Sequence, residues 1–188
     1  ANGCTKFYNE SVVVGTPLDV TASNQTICEG DFVGLSAITT GGNTSNPYVY
    51  TWLVYDSLTG NTSTPPGVVN PTNPVNVNPT TTTDYMVYVS DGCSRNDTTG
   101  VTVTVNNLSI VTFSSVDAIG CPPLVVDFKA TSVDVGLLYS WSFGDGVVQN
   151  TVLDTTYHIY NNSGSYDVML TVTNQFGCVS SYYSPKHV

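Results

Sequence analysis

The chain of 188 residues has few cations: Lys and Arg number four against 14 Asp and Glu, for a formal net charge of −10. Nucleic-acid binding relies on cationic side chains that displace counterions from phosphates, so a nucleic-acid partner is disfavoured. The same shortage disfavours attraction to an anionic membrane surface. No apolar run approaches the roughly 20 residues of a transmembrane helix, so direct membrane insertion is not expected.

Helix formers and clustered cysteines are also scarce. Ala, Leu, Glu and Lys are few, whereas Thr, Val and Tyr, which suit a pleated and half-buried surface, are abundant. The cysteines form neither a Cys-x-x-Cys motif nor a Cys/His cluster at zinc spacing. They are dispersed at Cys4, Cys28, Cys93, Cys121 and Cys178. Dispersed cysteines in an acidic, Thr- and Asn-rich chain favour an oxidising, extracellular location. The composition therefore predicts an all-β, secreted or cell-surface protein.

The same order of motifs occurs twice. A cysteine precedes an alternating apolar segment, a strand centred on Trp52 or Trp141, a strand led by Tyr85 or Tyr166, and a Gly-Cys turn. This order predicts tandem seven-strand Ig-like β-sandwiches, with both Trp side chains in the core and both Tyr side chains at tyrosine-corner positions. The predicted segments are 1–19, the last hairpin of a preceding module; 20–106, an Ig-like sandwich; and 107–188, the next sandwich.

The second module contains YSWSFGDG and YHIYNNSGSYDVMLTVTN. These segments resemble the polycystic kidney disease (PKD) domain family, although Ser142 stands where that family often has Asp. The positions that match the family pattern are Trp141, Gly144, Asp145, Gly146, His158, Tyr160 and Tyr166. The first module resembles the Ig-like repeats found beside PKD repeats in large surface proteins of Bacteroidetes. Together they resemble an internal segment of a giant adhesion or gliding-motility protein exported by type IX secretion.

The resemblance implies a non-catalytic structural segment, a stalk or filament piece of a secreted cell-surface adhesin. The expected partners are neighbouring modules of the same protein, surface polysaccharide or other cell-surface proteins. An accessory PKD/Ig-like module of a secreted hydrolase is one alternative. A glycan-binding module is another, with candidate exposed rings at Tyr48, Tyr50, Tyr182 and Tyr183.

The sequence Gly144-Asp145-Gly146 is compatible with a reactive loop, a metal loop or a tight turn. A general base needs a partner within hydrogen-bond reach, and no second acid or His lies nearby in the sequence. Glycine supplies positive φ and Asp can bond neighbouring amides, so a tight turn is the prediction. His158 lacks an evident orienting partner and lies two residues from Tyr160. We therefore expect His158 to be a structural residue on the same strand face as Tyr160.

The acidic residues indicate two candidate surface sites. Glu29 and Asp31 form the densest acidic pair of the first module, and carboxylates are the ligands that calcium prefers. Because no EF-hand-type loop occurs, no cofactor is expected, with calcium as the alternative. The segment Asp56-Ser57-Leu58 resembles a Bacteroidetes O-glycosylation site, which makes Ser57 the candidate for modification.

Strand directions favour one pairing of the cysteines. Cys28 and Cys121 precede the second strand of their modules, whereas Cys93 and Cys178 follow the sixth. These turns lie at opposite ends of a sandwich whose strands span roughly 20 Å, and disulfide Cα atoms must lie within about 7 Å. With modules stacked end to end, the predicted disulfide joins Cys28 to Cys178 between modules. The alternative pairs Cys28 with Cys93 and Cys121 with Cys178.

Overall fold

A computed structural model describes residues 16–43, 45–69, 72–107, 110–116, 118–132 and 137–188. Every regular element in those ranges is a β-strand, so the predicted all-β class is confirmed. Within the same ranges, no helix is long and apolar enough to cross a membrane. The hairpin predicted over residues 1–19 lies, except for its last four residues, outside the described part of the chain.

The chain divides into two compact units. The first comprises Ala1–Gln25 and Phe32–Thr104, and the second comprises Thr26–Asp31 and Val105–Val188. The short segment Thr26–Asp31 therefore belongs to the second unit, although the chain on either side of it belongs to the first. The boundaries drawn from the sequence, 20–106 and 107–188, remain predictions.

Nine strands precede residue 107 in the described ranges, and they belong to the first unit except for residues 26–28 and 105–106, which belong to the second. They are β1 (Asp19–Ala22), β2 (Gln25–Cys28), β3 (Val33–Leu35), β4 (Ala37–Thr40), β5 (Val49–Tyr55), β6 (Thr62–Ser63), β7 (Val75–Val77), β8 (Thr83–Ser90) and β9 (Asp97–Asn106). The large sheet has the order β2-β9-β8-β5-β6, and two small sheets pair β1 with β4 and β3 with β7. Trp52, at the centre of β5, lies opposite Val87 of β8, and both side chains are fully buried.

Period-two alternation accounts for much of this core. Successive strand residues point to opposite faces, and Tyr85, Val87 and Val89 of β8 are all buried. The segment from Val33 to Ala37, which reads as one strand face in the sequence, is instead divided between two strands. Strand β3 pairs with β7 and β4 pairs with β1, so the chain changes sheet at residue 36.

The described residues of 110–188, all in the second unit, form two antiparallel sheets from seven strands. They are β10 (Val111–Val116), β11 (Leu124–Ser132), β12 (Leu138–Ser142), β13 (Val148–Thr151), β14 (Thr155–Tyr160), β15 (Val168–Thr173) and β16 (Val179–Ser184). The sheet orders are β10-β11-β14 and β13-β12-β15-β16. Aromatic side chains dominate the core between the sheets: the Trp141 ring lies 5.3 Å from Phe113 and 5.5 Å from Phe128, centroid to centroid. Such rings bury more apolar area than aliphatic side chains and add edge-to-face contacts.

Candidate functional site

The Gly-Asp-Gly segment is the turn between β12 and β13. The Phe143 amide donates to the Val147 carbonyl at 3.2 Å, which closes the turn. Gly144 has φ of +83° and Gly146 of +93°, a region that side chains other than glycine rarely adopt. A Cβ atom on Gly144 would also collide with the Asp167 backbone, whereas one on Gly146 would meet open space. Gly144 is therefore required for two reasons and Gly146 for one.

Asp145 has a partner that was not expected from the sequence. Its Oδ2 lies 2.7 Å from Nε2 of His158, and its Oδ1 accepts a hydrogen bond from the Val147 amide at 3.1 Å. Strand β14 brings His158 to the turn from 13 residues away, which corrects the expectation that neither residue has an orienting partner. Burial raises the pKa of Asp145, but the hydrogen bonds from His158 and Val147 outweigh it, so the pKa is lowered overall.

The His158 ring is held between two aromatic side chains. It stacks on Phe143 with a centroid distance of 4.2 Å and meets Tyr160 edge-on at 4.7 Å. The buried Tyr160 hydroxyl donates to the Phe143 carbonyl at 3.0 Å, and burial raises the pKa of this hydroxyl. In the described part of the chain, no hydroxyl or thiol hydrogen-bonds to the second His158 nitrogen. The carboxylate–imidazole pair therefore braces the turn.

A second polar anchor lies in the first unit, and sequence reasoning missed it. Asp91 is 2% exposed, and its carboxylate accepts hydrogen bonds from the amides of Asn43, Cys93 and Ser94 and from the Ser94 hydroxyl. The Asn46 side chain donates to the Asp91 carbonyl at 3.0 Å. These hydrogen bonds, the one from Asn43 foremost, hold the pKa of Asp91 well below its ordinary value. The buried charge thus ties the Gly-Cys turn to the β4–β5 loop.

The matching turn of the second unit uses a neutral side chain. Oδ1 of Asn174 accepts hydrogen bonds from the backbone amides of Phe176 and Cys178, both at 3.0 Å. Both donors are within four residues of Asn174, so the anchor is local. The alignment of the two Gly-Cys turns was visible in the sequence, but the different partners of Asp91 and Asn174 were not.

Cys28 and Cys178 form a disulfide with a Cα–Cα distance of 5.6 Å. This is the pair that the strand directions favoured. The alternative pairs are absent, because Cys93 and Cys121 are free and exposed. Cys28 lies in the segment Thr26–Asp31, so both cysteines belong to the second unit. In the same unit the Glu29 amide donates to the Asn106 carbonyl at 2.9 Å.

The His187 ring is also held by two hydrogen bonds, which no pattern in the sequence indicated. Its Nε2 lies 2.7 Å from the Ser115 hydroxyl and its Nδ1 lies 3.0 Å from the Ser184 hydroxyl. Burial lowers the pKa of His187, which favours the neutral ring. In a Ser–His–Asp triad a carboxylate holds the second ring nitrogen, whereas here the Ser184 hydroxyl does so. The contacts therefore fix the chain's C-terminal segment to β10.

The candidate tyrosines are only partly exposed. Tyr48 is half-buried and its hydroxyl donates to the Gly41 carbonyl, and Tyr50 is half-buried within β5. Tyr182 packs edge-on against Phe113 at 5.4 Å. Tyr183 is exposed and donates to Asp167 at 2.6 Å. Their contacts give these rings structural roles, and Tyr48 and Tyr50 are not the exposed side chains that the sequence predicted.

The two predicted tyrosine corners differ. The Tyr166 hydroxyl donates to the Asn162 carbonyl at 2.9 Å, the short-range backbone bond expected of that motif. Tyr85 is buried in β8, and no backbone acceptor for its hydroxyl is found among the described residues. The corner geometry is therefore present at Tyr166, and among the described residues it is not seen at Tyr85.

The surface sites predicted from the acids lie in turns. Ser57 is exposed in the turn between β5 and β6. In this turn the Asp56 carboxylate accepts hydrogen bonds from the Leu58 and Thr59 amides and from the Thr59 hydroxyl. Modification of Ser57 remains a prediction. Within the described ranges, no group of three or more His, Cys, Asp or Glu side chains is placed to hold a metal ion, and Glu29 and Asp31 belong to no such group.

The chain matches several solved structures at low sequence identity. Sidekick-1 immunoglobulin domains 1–4 match at 15% identity and a TM-score of 0.49, covering 91% of this chain and 48% of that one. A bacterial ice-binding adhesin matches at 16% identity and a TM-score of 0.44, covering 90% and 63%. An I-band fragment of titin matches at 16% identity and a TM-score of 0.46, covering 93% and 66%. The chain thus spans about half the length of the Sidekick-1 structure.

No curated protein sequence matches the chain significantly. Residues 111–186 match the model of the PKD domain family, and this range contains the whole of strands β10 to β16. It also contains the turn braced by Asp145 and His158. The chain is therefore an all-β protein with an N-terminal Ig-like β-sandwich and a C-terminal β-sandwich that matches the PKD domain family over residues 111–186.

Proposed function

We propose that this chain is a non-catalytic structural segment of a large secreted cell-surface adhesin, a piece of a stalk or filament that serves cell adhesion or gliding. Ig-like and PKD modules are typical of cell-surface adhesive proteins, and both are non-catalytic. A disulfide within such modules favours a location outside the cytoplasm. The resemblance to Bacteroidetes surface repeats supports type IX secretion as the export route.

The observation that carries this proposal is the connectivity of the Cys28–Cys178 disulfide. Its cysteines are 150 positions apart, so 149 residues lie between them in a closed covalent loop. Tension applied from outside the pair passes along the chain to Cys28, through the S–S bond, and onward from Cys178. The loop contains both buried Trp side chains, Trp52 and Trp141. A segment of a tethering protein benefits from this path, because its folded cores are shielded from the pulling force.

Single-molecule stretching of the chain through its two ends tests the proposal. The oxidised chain is expected to extend only by the residues outside the loop. Reduction is expected to release an additional contour length of roughly 500 Å, since an extended residue spans about 3.5 Å. Cys28→Ser should behave like the reduced chain, and Cys93→Ser, which removes a free thiol, should behave like the oxidised one. Release of the long contour length by the oxidised chain would refute shielding by this disulfide.

A further inference from the structure

A groove of about 560 Å³ lies on the outer face of the β10-β11-β14 sheet of the PKD domain. Its size falls within the roughly 300–1,000 Å³ of small-ligand sites. Strands β10, β11 and β14 form its floor, and β13 with the residues that follow it supplies further lining. We propose that this groove binds a neutral oligosaccharide, with the ring of Tyr157 as the stacking platform.

The register of the strands fixes which side chains meet in the groove. Asp127 lies opposite both Val116 and Tyr157, and Lys129 lies opposite both Ser114 and Thr155. These residues alternate with the buried positions of their strands, so their side chains point away from the core. Directly opposite residues have Cβ atoms about 5 Å apart, and rows two residues apart lie about 7 Å apart. One pyranose ring on Tyr157 would therefore lie within reach of both charged groups.

Tyr157 has the exposure that a stacking platform needs. Its side chain is 62% exposed in the middle of a strand, where a sheet face otherwise tends to carry polar residues. Val116, also 62% exposed, extends the apolar floor across the sheet. The face of an aromatic ring carries partial negative charge and attracts polarised C–H groups. The apolar face of a pyranose presents such C–H groups.

The polar side chains that line the groove suit a ligand with hydroxyl groups better than a charged ligand. Asp127 can only accept hydrogen bonds, Lys129 can only donate them, and Gln149 and Thr155 can do both. Asp127 and Lys129 make no side-chain hydrogen bond or ion pair within the described ranges, so both are available to a ligand. The two charges balance, so the groove favours neither an anion nor a cation. A sugar presents many hydroxyls, each of which donates and accepts.

An extended peptide is the competing occupant, because β13 and β14 are edge strands of their sheets. A peptide would add to such an edge through main-chain hydrogen bonds. The free polar groups of the groove are instead side chains on the sheet face, and Tyr157 projects from that face. These positions favour the oligosaccharide. The net charge of −10 further disfavours acidic polysaccharides.

The test is an NMR and calorimetric titration of the whole chain with a panel of neutral hexasaccharides: β-1,4-glucan, β-1,3-glucan, α-1,4-glucan and the β-1,4-linked N-acetylglucosamine oligomer. At least one is expected to bind with a dissociation constant of about 1 mM or tighter, and to shift the amide signals of Lys129, Thr155 and Tyr157. Tyr157→Ala is expected to weaken binding at least about tenfold, and Asp127→Asn about threefold.

Two further variants separate stacking from general damage. Tyr157→Phe keeps the ring and should retain most of the affinity. Tyr183→Ala removes a ring of similar exposure from the opposite sheet and should leave binding unchanged. The proposal is overturned if no hexasaccharide binds below about 10 mM, if Tyr157→Ala binds like the wild type, or if a peptide library yields ligands for the groove and the sugars do not. Such a failure leaves the stretching experiment unaffected, because the groove has no part in the path of tension.

Discussion

The two units share a plan but place their side-chain carboxylate anchor at different turns. In the first unit, the anchor is the buried Asp91 at the Gly-Cys turn after the Tyr strand. In the second unit, it is the Asp145–His158 pair at the turn after the Trp strand, while the Gly-Cys turn has only the neutral Asn174. Carboxylates at different ends thus stabilise the same arrangement of strands. A repeat in sequence therefore does not imply a repeat of the interactions that fix each turn.

The largest expected effect concerns the disulfide that ties the Gly-Cys turn at Cys178. Cys28→Ser should lower the free energy of unfolding of the second unit by about 3–5 kcal/mol, because the disulfide closes a long loop and restricts the unfolded chain. Denaturant titration under oxidising conditions measures this. Cys93→Ser removes a free thiol at the first unit's Gly-Cys turn, the counterpart of Cys178, and should alter stability by less than about 0.5 kcal/mol. Equal losses in both variants would contradict the assignment.

The next effect concerns the anchor of the second unit. Gly144→Ala should destabilise the PKD domain by about 2–5 kcal/mol, because alanine is disfavoured at positive φ and its Cβ would strike the Asp167 backbone. Gly146→Ala also places alanine at positive φ, but its Cβ would meet open space. The free energy of unfolding should therefore fall by only about 1–2 kcal/mol. Chemical denaturation of the two variants gives the difference. A larger loss of stability for Gly146→Ala than for Gly144→Ala would show that the Asp167 backbone does not crowd Gly144.

Exchanging the anchors between the two Gly-Cys turns tests the comparison itself. Asp91→Asn turns one acceptor oxygen of a buried carboxylate into a donor that faces amide hydrogens, and should lower the Tm by roughly 5–10 °C. Asn174→Asp keeps an acceptor for both local amides and should change the Tm by less than about 2 °C. Differential scanning calorimetry measures both. If the two exchanges had equal effects, the anchors would be equivalent after all.

The smallest effect is a dependence on pH. The pKa of Asp91 is lowered in the folded chain, so the unfolded chain takes up this proton first as the pH falls. The stabilisation is therefore complete above about pH 5 and is lost progressively below about pH 4. The Tm of the wild type, followed from pH 7 to pH 3, should fall more steeply than that of Asp91→Asn. Parallel curves would show that Asp91 titrates normally.

Sequence patterns predicted the strands and the core better than the anchors. Alternation placed Val87 of the first unit and Leu170 of the second in the core, and both are fully buried. The change of sheet at residue 36 was missed, because the apolar period of two continues through it unchanged. Asp91 meets Asn43 across 48 positions and His158 meets Asp145 across 13, and no local pattern encodes such pairs. Whether a carboxylate such as that of Asp91 is buried depends on the loops that cover it, and these come from distant parts of the sequence.

Non-reducing peptide mapping tests the central claim, that one disulfide encloses both buried Trp side chains in a covalent loop. After alkylation of free thiols and proteolysis, mass spectrometry should find a Cys28 peptide linked to a Cys178 peptide, with Cys93 and Cys121 alkylated. A Cys28–Cys93 or Cys121–Cys178 linked peptide would contradict the account, since either would leave most of the chain in the path of tension.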